Sequence, residues 1–223
     1  MTVEQALTKI RAIADPRAVK VWARAGMPTE KYLGAGLSKL KALAKTIKKD
    51  HALALGLWAT GIHDARLLAT MVADPKLADA ALCRRWMADV TFWDLADKLA
   101  QNVVAKTPHA RALVEEWLKS DREWVKRGAF ATIAAAAASA DEAQLQAWLG
   151  AIRRGLDDAQ NFVRDGANNA LIYVGRAGKP KAHAAALALA RAHGPVEVDY
   201  GESSCQVPDA VKILGGAAAR RRA

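Results

Sequence analysis

The stretch Trp117-Leu118-Lys119-Ser120-Asp121-Arg122-Glu123-Trp124-Val125-Lys126-Arg127 decides the fold class. Upstream of it, apolar residues return every three or four positions over 108–119, and downstream the same period runs over 122–138. That spacing is the pattern of an amphipathic helix. Between the two lie Ser120 and Asp121, whose side-chain oxygens can accept from the unpaired N–H groups at a helix start. The stretch therefore reads as helix, cap, helix. Working outward, the same period predicts helices at 3–14, 16–25, 37–49, 51–60, 63–73, 75–88, 91–105, 141–155, 159–176 and 179–193, with a brief one at 208–214. Asp15-Pro16, Asp74-Pro75 and Thr107-Pro108 each look like an N-cap followed by proline in the first turn. Gly61 and Gly178 suit helix C-caps. Period-two alternation is nearly absent, so no sheet is expected.

Consecutive helices with short links leave two architectures, a globular bundle or an α-solenoid. No helix looks apolar all round, as the centre of a large bundle requires. Helix pairs recur at about 30–45 residues, the period of helical repeats. The expected fold is all-α: a right-handed α-solenoid of stacked antiparallel helix pairs, HEAT/ARM-like, with a concave basic face. One domain is expected over 1–214. A basic tail over 215–223, carrying Arg220-Arg221-Arg222, is expected to be disordered. The Gly194–Pro208 stretch reads as a loop.

The 223 residues carry 33 Lys and Arg against 23 acids, a formal charge of +10. Charge on that scale implies an acidic partner, nucleic acid first and an anionic membrane surface second. The two cysteines, Cys83 and Cys205, are far apart and offer no disulfide framework. No Cys-x-x-Cys or His-x-x-x-His spacing exists, so no metal and no other cofactor is expected. Gly-rich phosphate loops are absent, which excludes the usual nucleotide-dependent enzymes. His51, His63, His109, His183 and His193 are dispersed and read as surface or capping residues. The start lacks a basic n-region before an apolar segment, and no run of about 20 apolar residues occurs, so neither a leader nor a membrane span is expected. A cytoplasmic monomer is the default expectation.

The residues that could carry chemistry sit in Phe92-Trp93-Asp94-Leu95-Ala96-Asp97. Trp93 and Asp97 are four apart, which puts an indole and a carboxylate side by side on one helix face. A carboxylate adds nothing to affinity for a polyanion, so on a DNA-facing helix it would serve chemistry. The alternative is a core tryptophan beside a solvated acid. Arg122, Lys126 and Arg127 fall on adjacent turns, and an arginine fork suits phosphate. Lys39, Lys41, Lys45, Lys48 and Lys49, then Arg84 and Arg85, then Arg153, Arg154 and Arg164 recur along the helices. In a solenoid they would form a stripe that grips a phosphate backbone without reading sequence.

These stretches resemble those of the AlkD-like DNA alkylation repair family, the HEAT-like-repeat alkylpurine DNA glycosylases. The resemblance covers residues 35 to 178. Leu57-Trp58-Ala59-Thr60-Gly61-Ile62-His63-Asp64-Ala65-Arg66-Leu67-Leu68-Ala69 is similar to the family's early signature. Trp93-x-x-x-Asp97 matches its catalytic spacing, and Trp124-Val125-Lys126-Arg127 matches the segment ending in its phosphate-binding arginine. Asn161-Phe162-Val163-Arg164 aligns with the entry to its later DNA-facing helix. Two positions depart: Asn169 stands where the well-studied branch has a second tryptophan, and Asp165 where a lysine is typical. The resemblance implies a metal-free glycosylase acting on cationic alkylated purines in duplex DNA without deep base flipping. Asp97 would stabilise the oxocarbenium-like transition state, Trp93 would lie against the sugar, and Arg127, Lys126, Arg164 and Asn169 would contact DNA. The competing reading is a non-catalytic nucleic-acid-binding solenoid, and a third is a solenoid that binds an acidic protein.

Overall fold

The computed structural model describes residues 1–220. Among these the chain is all helix and loop, its one bridge of extended backbone joining Ala14 to Ala35. It packs as two compact units, Met1–His109 with Tyr200–Ser204, and Ala110–Asp199 with the chain from Cys205 onward. One continuous domain over 1–214 was the sequence expectation.

The first unit contains α1 (Val3–Ile13), α2 (Pro16–Arg24), α3 (Leu37–Ile47), α4 (His51–Ala59), α5 (His63–Val72), α6 (Ala80–Ala88) and α7 (Trp93–Asn102). Helix α5 is its centre and packs on α1, α3, α4 and α7. Eight of its ten residues are buried, from His63 and Asp64 to Val72. The expectation was that no helix is apolar all round, and α5 does carry His63, Asp64 and Arg66, yet it is enclosed. The sequence concealed this because α5 includes a histidine and an aspartate that find partners inside the fold. Tryptophans brace the unit: Trp58 and Trp86 stack with centroids 4.3 Å apart, and the Trp58 indole N–H donates to Asp89 at 2.8 Å. Arg66 lies over Trp58 and reaches the same Asp89.

The second unit contains α8 (Ala110–Trp117), α9 (Glu123–Ala136), α10 (Glu142–Leu156), α11 (Asn161–Gly175), α12 (Pro180–His193) and α13 (Ala210–Arg220). Its central helix is α11, which packs on α9, α10, α12 and α13. It too is largely enclosed, and it manages this with small residues. A Cβ on Gly166 would meet Arg127 and Phe130, and one on Gly175 would meet Leu214.

The caps explain where the expected boundaries shift. Asp15 accepts from the Arg17 N–H with Pro16 in the first turn, as its sequence suggests. Asp74-Pro75 starts only a single 3-10 turn, because Asp79 then caps a new helix by accepting from Leu82 N at 2.6 Å. Thr107 accepts from His109 N as a local turn, and α8 begins beyond it at Ala110. Ser120 accepts from Arg122 N, one residue before α9 begins. Helix α13 runs through Arg220, so the chain is helical where the expected tail was to begin, and residues 221–223 lie outside the described residues.

Candidate nucleic-acid interface

Trp93 opens α7, and its first turn is held by aromatic packing. Its ring lies 5.9 Å from Trp22 of α2 and 5.7 Å from Phe92, while Trp22 and Phe92 meet edge to face at 6.0 Å. Trp93 and Asp97 are both half-buried, one turn apart, so the helix does place indole and acid on one partly open face. Lys98 stands beside them. Burial holds its ammonium below the usual lysine range, against the opposing pull of Asp97, and Lys41 of α3 adds to the depression. Asp97 thus has the Lys98 ammonium as a charged neighbour.

Asp94 has a different role. The Nε2 of His63 lies 3.1 Å from its carboxylate, and His63 is only 5% exposed. Tyr32 meets the imidazole edge to face at 5.7 Å. Burial, followed by the charges of Asp64 and Asp94, raises the Tyr32 phenol above its ordinary range. His63 is therefore a buried, paired histidine, which corrects its reading as a surface or capping residue. Beside it Asp64 is fully buried and accepts from the N–H groups of Leu33 and Ala35 at 2.7 and 2.6 Å. These bonds pin the loop before α3. Burial outweighs them and raises the Asp64 carboxyl from its ordinary value. Sequence reading missed this cluster. The one available signal was His63-Asp64 at the start of the helix that follows Gly61.

In the second unit Arg122 is exposed, while Lys126, Arg127 and Arg164 are engaged by partners within the fold. Arg127 is 1% exposed; its Nη1 donates to Asp165 at 2.7 Å and to the Phe162 carbonyl at 2.9 Å. Arg127, which the resemblance would set on a phosphate, is instead buried. The ion pair explains why: Asp165, on the facing turn of α11, draws the guanidinium into the α9–α11 contact. Lys126 pairs with Asp158 at 2.8 Å, both side chains largely covered. Arg164 clasps the loops around it, donating to the carbonyls of Asp158, Ala159 and Glu197 and to Asn161. Asn169 is half-buried and donates to Asp165 at 3.2 Å. The exposed cations lie elsewhere: Lys39, Lys41 and Lys45 on α3, Arg84 and Arg85 on α6, and Arg153 and Arg154 on α10.

Among the described residues no group of three or more histidine, cysteine or acidic side chains is placed to hold a metal ion, and no helix is long and apolar enough to cross a membrane.

This is an all-α fold of the HEAT-like repeat class, with a basic surface. It is similar, at a TM-score of 0.86 and 23% identity over 100% of this chain and 96% of the other, to a protein described as belonging to "a new family of proteins related to the HEAT-like repeat DNA glycosylases with affinity for branched DNA structures". The family model of the DNA alkylation repair enzymes matches residues 6–213, and the chain belongs to that family. Full-length relatives include the uncharacterized protein Lin0241 of Listeria innocua, 25% identical over 96% of both chains. The uncharacterized protein Lmo0209 of Listeria monocytogenes is 24% identical over the same share.

Proposed function

We propose that this protein is a DNA-binding member of the alkylation repair family in which Arg127 of α9 no longer clamps a phosphate, so that it binds DNA without releasing alkylated purines. One observation carries the reading: the Arg127–Asp165 pair, 2.7 Å apart and almost wholly buried. In the resemblance, the arginine at 127 would hold a phosphate and a lysine is typical at 165. An aspartate in place of the lysine gives the arginine an internal partner, and breaking that pair for a phosphate would leave Asp165 buried and uncompensated. Affinity then rests on the exposed lysines of α3 and on Arg84, Arg85, Arg153 and Arg154.

A glycosylase is the second reading, and a specific observation favours it. Trp93 and Asp97 keep a shared, half-open face on α7. An acid there could still stabilise positive charge growing on a deoxyribose.

The test runs base release from randomly methylated duplex DNA, wild type beside Asp97→Asn, together with equilibrium binding to duplex and four-way-junction DNA over a range of salt. The expected result is steeply salt-dependent binding, with no methylated base released. Release by the wild type that Asp97→Asn abolishes would overturn the proposal in favour of the glycosylase. Absence of affinity at low salt would overturn both. Replacing Arg84 and Arg85 by alanine is expected to lower the salt slope by about one unit for each phosphate that these arginines neutralise.

A further inference from the structure

Beyond its first turn, helix α11 is enclosed except along one narrow stripe. Phe162, Asn169, Tyr173 and Arg176 are its half-buried and exposed positions on that side, and on a helical wheel they fall within an arc of roughly 60°. Tyr173 is 53% exposed, which is unusual for an aromatic ring on an otherwise buried helix. Arg176, also exposed, follows at the helix C-cap. The stripe begins at Phe162, whose ring packs against Trp124 of α9 at 5.3 Å.

The neighbouring helix leaves room beside this stripe. Arg127 of α9 meets Asp165 of α11, and Trp124 meets Phe162, so the two helices run parallel with a register offset of 38 residues. Carried along the pair, that register sets Ala131 beside Asn169 and Ala135 beside Tyr173. Both alanines are half-buried or exposed. The tyrosine ring therefore rises next to a low alanine floor, with an amide one turn before it and a guanidinium almost one turn after.

We infer that Tyr173 is a stacking platform for an unpaired nucleotide, with Asn169 at the base edge and Arg176 at the adjoining phosphate. This rests on the DNA-binding reading and narrows it to DNA with unpaired or splayed bases. The chemistry is that of single-strand recognition: an aromatic face accepts any base, and a cation beside it holds the backbone. A fully paired duplex keeps its bases stacked on one another and offers the ring nothing. The stripe also gives the unit an aromatic position one turn beyond Asn169, where the resemblance led one to expect a tryptophan.

The experiment compares wild type, Tyr173→Ala, Tyr173→Phe and Arg176→Ala. Each is titrated with oligothymidine, a forked duplex with unpaired arms, and a fully paired duplex. Far-UV circular dichroism checks that each variant is folded. Tyr173→Ala is expected to weaken oligothymidine and fork binding roughly 5- to 150-fold, the range for truncating an aromatic under one base. It is expected to leave paired-duplex binding unchanged, and Tyr173→Phe should restore affinity. A 2-aminopurine in the fork arm should be quenched by wild type and Tyr173→Phe, and not by Tyr173→Ala. Equal weakening on all three DNAs, or none on any, would overturn the inference and leave the DNA-binding reading standing. A wild type that binds none of them would remove both.

Discussion

Replacing Asp165 by alanine is the sharpest perturbation of the second unit. The Asp165 and Arg127 side chains are 4% and 2% exposed, and their charges meet at 2.7 Å. Removing the acid leaves a buried guanidinium in the α9–α11 contact, with the Phe162 carbonyl as a neutral partner 2.9 Å away. Breaking one side of a buried pair costs about 3–5 kcal/mol, and the surviving carbonyl bond puts this case near about 3 kcal/mol. For a chain of this length each kcal/mol moves the melting temperature by about 2–4 °C, so a fall of roughly 6–12 °C is expected. The double variant Arg127→Met, Asp165→Leu is expected within about 2 kcal/mol of wild type or above it, since it removes both desolvated charges together. Thermal and urea unfolding followed by far-UV circular dichroism measures wild type, Asp165→Ala and the double variant side by side. A single Asp165→Ala variant that loses less than about 1 kcal/mol would refute the reasoning, because the arginine would then have reached water.

Three further outcomes are expected. Burial raises the Asp64 carboxyl above its ordinary 3.8, so the folded state holds that proton more tightly than the unfolded chain. Its contribution to stability is then full below the ordinary value and falls as pH rises through the raised one, and urea titrations at several pH values should show the margin over Asp64→Asn shrinking across that window. Of the two thiols, exposed Cys205 should react quickly with Ellman's reagent in the native protein, while Cys83, buried and with its thiol pushed up to about 11, should react only on unfolding. Two fast equivalents would contradict that. Gly34 has φ +88°, its carbonyl accepts from the Asp15 N–H, and a Cβ there would strike the Asp15 carbonyl. Gly34→Ala should therefore cost about 2 kcal/mol or more, read as a lower urea midpoint at unchanged slope.

The sequence by itself determined the helices. Periodicity and caps are local properties, set by residues within a turn or two of one another. Asp15-Pro16 caps α2, Gly61 ends α4 with φ +70°, and most boundaries fall within a few residues of those read from the spacing. Local reading also placed Trp93 and Asp97 on one face, because the helix period alone fixes that geometry. Only the tertiary structure decided which polar residues are enclosed. Nothing local distinguishes Asp64, Asp165 or Arg127 from surface charges, because their partners lie 29 to 38 positions away. Hydropathy marks such residues as solvent-facing, yet a buried charge with a well-aligned partner is stable inside. Hence α5 and α11 looked amphipathic in sequence and are central in the fold. The same long-range pairing turned Arg127 from a candidate phosphate ligand into an internal brace and left Tyr173, an unremarked residue in the sequence, as the aromatic that faces solvent.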